Sequence, residues 1–143
     1  VYYLPKLAEL NQFILIKKEV IKGYFSILPI ACVCSAIIFF NQDLVISILF
    51  TKDFMPMKEL FFWQLIGDVI KIGSWIISFM MLSKAMTKIF IITETIFALS
   101  ILPLTIICSN YFGFKGVAIA FALNCLVYWI VCSYFSFRNL KEV

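Results

Sequence analysis

The feature that most narrows what this chain can fold into is an apolar run from about Leu60 to Ser83 with an acid and a base near its middle. The run is long enough to cross a bilayer, which takes roughly twenty mostly apolar residues. Inside it, Gly67-Asp68-Val69-Ile70-Lys71-Ile72-Gly73-Ser74-Trp75 places Asp68 and Lys71 three positions apart. A charge at bilayer depth costs at least about 2.5–3.5 kcal/mol on insertion scales, so such groups face protein or water rather than lipid. At helical spacing the two share a face and can shield each other. Trp75 and Ser78 continue that face. Two readings follow: a polar site in a membrane cavity, or a self-neutralised pair that fixes helix packing.

The rest of the composition agrees with a membrane chain. Of the 143 residues, 64% are hydrophobic and 14% charged, and the mean hydropathy is +1.05. An ordinary soluble domain is about half apolar and a quarter charged, so that class is excluded. The chain opens on Val1-Tyr2-Tyr3-Leu4-Pro5 with no basic-then-apolar leader, and reads as a C-terminal piece of a longer membrane protein. The net charge of +4 is informative through its placement, not as a sign of nucleic-acid binding. Cys32, Cys34, Cys108, Cys125 and Cys132 all fall in apolar runs without metal spacing and read as small buried hydrophobes.

Taken in order, residues 1–23 form a basic amphipathic segment, and 24–143 form the membrane part. Spans are expected at about Tyr24–Phe40, Leu60–Ser83, Ile89–Cys108 and Gly116–Phe137. Pro29 should kink the first of them. Leu44–Phe50 is too short to cross and reads as a helix lying in the interface. With four spans, one side carries Lys6, Lys17, Lys18, Lys22, Lys84, Lys88, Arg138 and Lys141, and the other Lys52, Lys58 and Lys115. By the positive-inside rule both ends are then cytoplasmic. The fold class is all-α integral membrane. Gly116 with Ala120, and Ala118 with Ala122, are small residues four apart that let helices approach closely, and Asn124 can bond across to a neighbour.

Glu94 lies about a turn and a half from the cytoplasmic end of its span, shallower than Lys71. A direct pair with Lys71 is therefore not assumed, and Lys84 or Lys88 at the turn are the nearer partners. The chain has no His, no Ser-based elbow, no phosphate loop and no close carboxylate pair. It reads as a non-enzyme with no cofactor and no metal.

These residues resemble a known family. Gly67-Asp68-x-x-Lys71-x-x-Ser74-Trp75, Lys84 and Phe90-x-x-x-Glu94 resemble the C-terminal half of Wzx-type O-antigen flippases, in the multidrug/oligosaccharidyl-lipid/polysaccharide exporter superfamily. Tyr2-Tyr3-Leu4-Pro5-Lys6-Leu7 is similar to the segment before the ninth span there. Tyr111-Phe112-Gly113-x-x-Gly116-x-Ala118-x-Ala120 is similar to the entry to the last span. The resemblance implies the last four of twelve helices in a two-bundle transporter of the bacterial inner membrane. It implies flipping of undecaprenyl-diphosphate-linked oligosaccharide units for lipopolysaccharide synthesis. The implied partners are that lipid-linked substrate, membrane lipid, the preceding spans of the same protein and the polysaccharide polymerase machinery. Lys71 is then the contact for pyrophosphate or sugar, Trp75 a platform for a sugar ring, Asp68 the neutraliser of Lys71 in the empty state, and Glu94 the group that couples to an ion or proton. The rival readings are a drug/cation antiporter of the same superfamily, a peptidoglycan-lipid flippase, a membrane enzyme such as an O-antigen polymerase, and a non-transporting membrane subunit.

Overall fold

The computed structural model describes residues 3–9, 13–49 and 58–140. Its elements are α1 (Tyr3–Glu9), α2 (Phe13–Phe40), α3 (Gln42–Leu49), α4 (Lys58–Ser83), α5 (Thr87–Phe112), one 3-10 turn (Gly113–Lys115) and α6 (Gly116–Leu140). The four long helices have 28, 26, 26 and 25 residues. At 1.5 Å per residue each exceeds the hydrocarbon core of about 30 Å. Among the described residues there is no strand, and the protein is an all-α membrane protein.

The first span begins earlier than its apolar run. No proline lies between Phe13 and Tyr24 and the helix runs through Gly23, so the basic stretch of residues 13–22 forms the first turns of α2 instead of a separate surface piece. Pro29 and Pro103 both lie inside helices that continue past them. The short apolar piece forms α3, only 8 residues long. Phe50 to Met57, including Lys52, lie outside the described residues.

The turns have local causes. Gly113 adopts φ 60°, a left-handed conformation that glycine takes without a Cβ clash, and it ends α5. It splits the apolar stretch Thr87–Arg138 into two helices. The other turn, Lys84–Met86, holds Ala85 at φ 55°.

α6 packs chiefly on α4 and also on α5, while α2 packs on α4. Its small residues make this possible: Ala118, Ala120, Ala122 and Cys125 are all buried. A Cβ on Gly67 of α4 would lie 2.6 Å from the Phe121 ring and 3.2 Å from the Ala122 Cα. The core sits toward the Lys84–Met86 end, where Leu7, Ile16, Val20, Ile77, Met80, Met81, Tyr128 and Cys132 form one cluster. Three cysteines are buried as expected, but Cys32 and Cys34 are exposed on α2. Cys32 lines a groove between α2 and α4, while Cys34, two residues on, lies on another side of α2.

Candidate functional site

The buried positions of α4 are Gly67, Gly73, Ser74, Ile76, Ile77, Ser78, Met80 and Met81. At about 100° per residue they fill one continuous arc. Lys71 lies about 20° past the edge of that arc, close enough to turn its side chain inward. Asp68 and Trp75 lie a further 40–60° out, roughly, on the open side. One helix face in the sequence thus becomes two neighbourhoods in the structure.

Lys71 is thirteen residues from Lys58 and twelve from Ser83, so it stands at the middle of its helix. Its side chain is only 14% exposed. Nζ lies 3.6 Å from the Phe97 ring centroid and 4.0 Å from that of Tyr128. Glu94 Oε2 is 3.9 Å away, an ion pair too long to be a hydrogen bond. Nζ is buried with no hydrogen-bond acceptor in reach among the described residues. Two ring faces and a carboxylate therefore hold the ammonium in place of water. A desolvated cation over aromatic rings gains about 2 kcal/mol.

Glu94 is anchored on its other oxygen. Tyr128 Oη donates to Glu94 Oε1, and Tyr128 Oη also shares a hydrogen bond of 2.8 Å with Ser78 Oγ. The cluster ties α4 (Lys71, Ser78), α5 (Glu94, Phe97) and α6 (Tyr128) together. A second polar tie sits beside it: Ser100 Oγ donates to Asn124 Oδ1 at 2.7 Å, and Asn124 Nδ2 donates to the Phe97 carbonyl at 3.0 Å. A third joins α2, where Tyr24 Oη donates to the Gly73 carbonyl at 3.0 Å and accepts from Trp129 Nε1 at 2.8 Å.

Two expectations from the sequence are corrected here. Lys71 pairs with Glu94, not with Asp68, and Glu94 does not turn to Lys84 or Lys88. The depth argument measured backbones: Lys71 is about 18 Å from its helix end and Glu94 about 10 Å. The flexible four-carbon lysine stem spans the difference, and Phe97 and Tyr128 give it an apolar track. Asp68 instead accepts from Gln64 Nε2 at 3.4 Å. Trp75 is 48% exposed and does not join the Lys71 cluster.

Sequence reading missed Tyr128, Phe97 and Gln64. Each carried a signal. Tyr128 is four beyond Asn124 on the small-residue stripe, Phe97 is three beyond Glu94, and Gln64 is four before Asp68. Among the described residues no group of His, Cys, Asp and Glu could hold a metal ion.

No protein-family model and no solved structure matches the chain. Among curated proteins it is 30% identical over 136 residues to the lipid III flippase of Escherichia coli (strain K12), covering 92% of this chain and 32% of that protein. The lipid III flippase of Shigella flexneri matches with the same identity and coverage. The chain is thus a distant homologue of these flippases and spans about a third of their length.

Proposed function

We propose that the protein moves a polyprenyl-diphosphate-linked oligosaccharide, of the O-antigen kind, from the inner to the outer leaflet of the bacterial inner membrane. It acts as a transporter, not as an enzyme. The observation that carries this reading is the Lys71 side chain, held at the middle of a spanning helix by two rings and a long ion pair, with no hydrogen-bond acceptor among the described residues. The similarity to two flippases over nearly the whole chain supports the class.

The chemistry follows from that arrangement. A diphosphate entering the bilayer interior needs a cation, and an ammonium with three free donors can exchange its rings for phosphate oxygens. The Glu94 carboxylate holds Lys71 while the site is empty. Trp75, on the open face of α4, offers its ring to a sugar. Glu94, bonded to Tyr128 and close to Lys71, is the group whose charge couples the site to an ion or proton. Rocking of one helical bundle against another would carry the site between the two sides. The substrate, membrane lipid, further spans of the same protein and the polymerase machinery are the partners of this reading. Both ends of the chain then face the cytoplasm.

The test uses the full protein reconstituted into vesicles with lipid-linked oligosaccharide in one leaflet. Lys71→Ala should abolish translocation, though it leaves Glu94 without its cation, which by itself can destabilise the bundle. The double change Lys71→Gln with Glu94→Gln removes both charges together. Normal translocation by the double variant would make the pair structural and remove Lys71 from the site.

A further inference from the structure

α4 carries a second polar feature that the Lys71 cluster does not use. Phe61, Gln64, Asp68, Trp75 and Phe79 fall within about 60° of arc along the helix. None is buried: Trp75 is 48% and Phe79 42% exposed, Gln64 is exposed, and Phe61 and Asp68 are part-exposed. An apolar face toward lipid would explain the rings but not the acid and the amide. Asp68 is ten residues into the helix, about 15 Å from Lys58. A carboxylate at that depth needs partners, and among the described residues its one hydrogen bond comes from Gln64 at 3.4 Å, near the limit.

The two side chains open into a cavity of about 350 Å³ between α4 and α6, walled by Phe61, Leu60, Val117 and Ala118. We infer that this cavity is a sugar-binding subsite, in which Asp68 and Gln64 hold hydroxyls of the transported oligosaccharide and Phe61 packs against the ring. The inference rests on the flippase reading and names the part of the substrate that this wall of α4 recognises.

Five properties favour a sugar over other occupants. A carboxylate and an amide one turn apart offer several acceptors and a donor pair, which matches neighbouring hydroxyls that both donate and accept. An aromatic ring beside them supplies the apolar surface that the C–H face of a pyranose covers. A bare cation would need several oxygens around it, whereas this cavity holds only those of Asp68 and Gln64 against apolar walls. The cavity also has room for a ring. Its place is apt as well: Asp68 lies about 4–5 Å along the helix axis from Lys71, toward the Lys58 end. A diphosphate at Lys71 would put the attached sugars within reach of this pocket.

The experiment measures two things on the full protein. The first is binding of free oligosaccharide, released by mild acid from the host's own lipid-linked pool, by titration calorimetry. The second is translocation of the intact lipid-linked unit in vesicles. Gln64→Ala and Asp68→Ala should each weaken oligosaccharide binding by about tenfold or more, as expected for loss of a hydrogen bond involving a charged or buried polar group. Phe61→Ala should weaken it, and Phe61→Tyr should retain it. Because Gln64 is exposed, its alanine variant should fold as the wild type does, so unchanged binding in Gln64→Ala and Phe61→Ala would overturn the subsite. Binding to the wild type with no translocation would retain the subsite and overturn the flippase reading. Translocation with no measurable oligosaccharide binding by the wild type would do the reverse.

Discussion

At the residue scale the molecule turns on how one lysine is accommodated at the middle of a spanning helix. Lys71 Nζ is buried with no hydrogen-bond acceptor among the described residues, and two rings and Glu94 surround it. Glu94 is a stronger candidate for coupling because of what it touches. Its carboxylate takes the Tyr128 hydroxyl on one oxygen and faces Lys71 with the other. Neutralising Glu94 would release Lys71 from its ion pair while leaving the two ring contacts. An ion can shift an equilibrium between access states only by binding them unequally, and a carboxylate that holds a cation in one state and not in the other satisfies that condition. Glu94→Gln should therefore slow gradient-driven transport by about tenfold or more and affect downhill exchange less. Glu94→Asp should retain part of the activity. Vesicles with and without an imposed pH or sodium gradient provide the measurement, and equal loss in both would make Glu94 a substrate or packing residue. The identity of the charged residues was legible in the sequence because charges in an apolar run are rare. Their pairing was not. Spacing along α4 favoured Asp68 as the partner, but the partner was set by α6, which brings the Tyr128 ring between α4 and α5.

At the scale of elements, small residues decide how closely α6 can approach its neighbours. The sequence showed the stripe of Gly116, Ala118, Ala120 and Ala122 but not which helix meets which side. The structure gives the contacts different tolerances. A Cβ on Gly116 would run into the Cys108 carbonyl and come within 2.6 Å of the Ser109 nitrogen, all backbone atoms that cannot rotate away. A Cβ on Gly67 meets first the Phe121 ring at 2.6 Å, which can turn, and the Ala122 backbone only at 3.2 Å. Gly116→Ala should therefore open the α5–α6 hairpin and cost roughly 1–3 kcal/mol, the usual range for overpacking. Gly67→Ala should cost less. Thermal unfolding of the detergent-purified full protein, followed by loss of the monodisperse peak, would rank the two. A larger loss for Gly67→Ala would mean that the α4–α6 contact is the less tolerant of the pair. That the chain is built from long apolar helices was legible from the apolar runs alone. The start of α2 was not, because a basic stretch without a helix breaker changes the side chains at a helix end without interrupting its backbone.

At the scale of the whole molecule, the charges outside the bilayer sort to two ends. Lys6 pairs with Glu19 at 2.7 Å, Lys84 Nζ donates to the Ala8 carbonyl at 3.3 Å, and the Phe13 ring meets that of Phe137 edge-on at 6.4 Å. These contacts gather the start of α2, the Lys84–Met86 turn and the end of α6 at one end. At the other, Lys58 pairs with Asp43, and Lys115 pairs with Glu59 at 3.0 Å. The same division that the basic residues show in the sequence is therefore present in space. We propose that the first end faces the cytoplasm, because it carries the excess of Lys and Arg and positive loops stay inside. With the five native cysteines replaced, single cysteines at positions 18, 52, 86 and 113 read this out with a membrane-impermeant thiol reagent. Lys52 lies outside the described residues, but it shares a connection with Lys58 and should label from outside, as should position 113, at the exposed turn between α5 and α6. Positions 18 and 86 should label only after the membrane is opened. Labelling at 18 and 86 alone from outside would invert the orientation. Labelling at both 86 and 113 from outside would break the hairpin of α4, α5 and α6, and with it the placement of Lys71 at mid-depth.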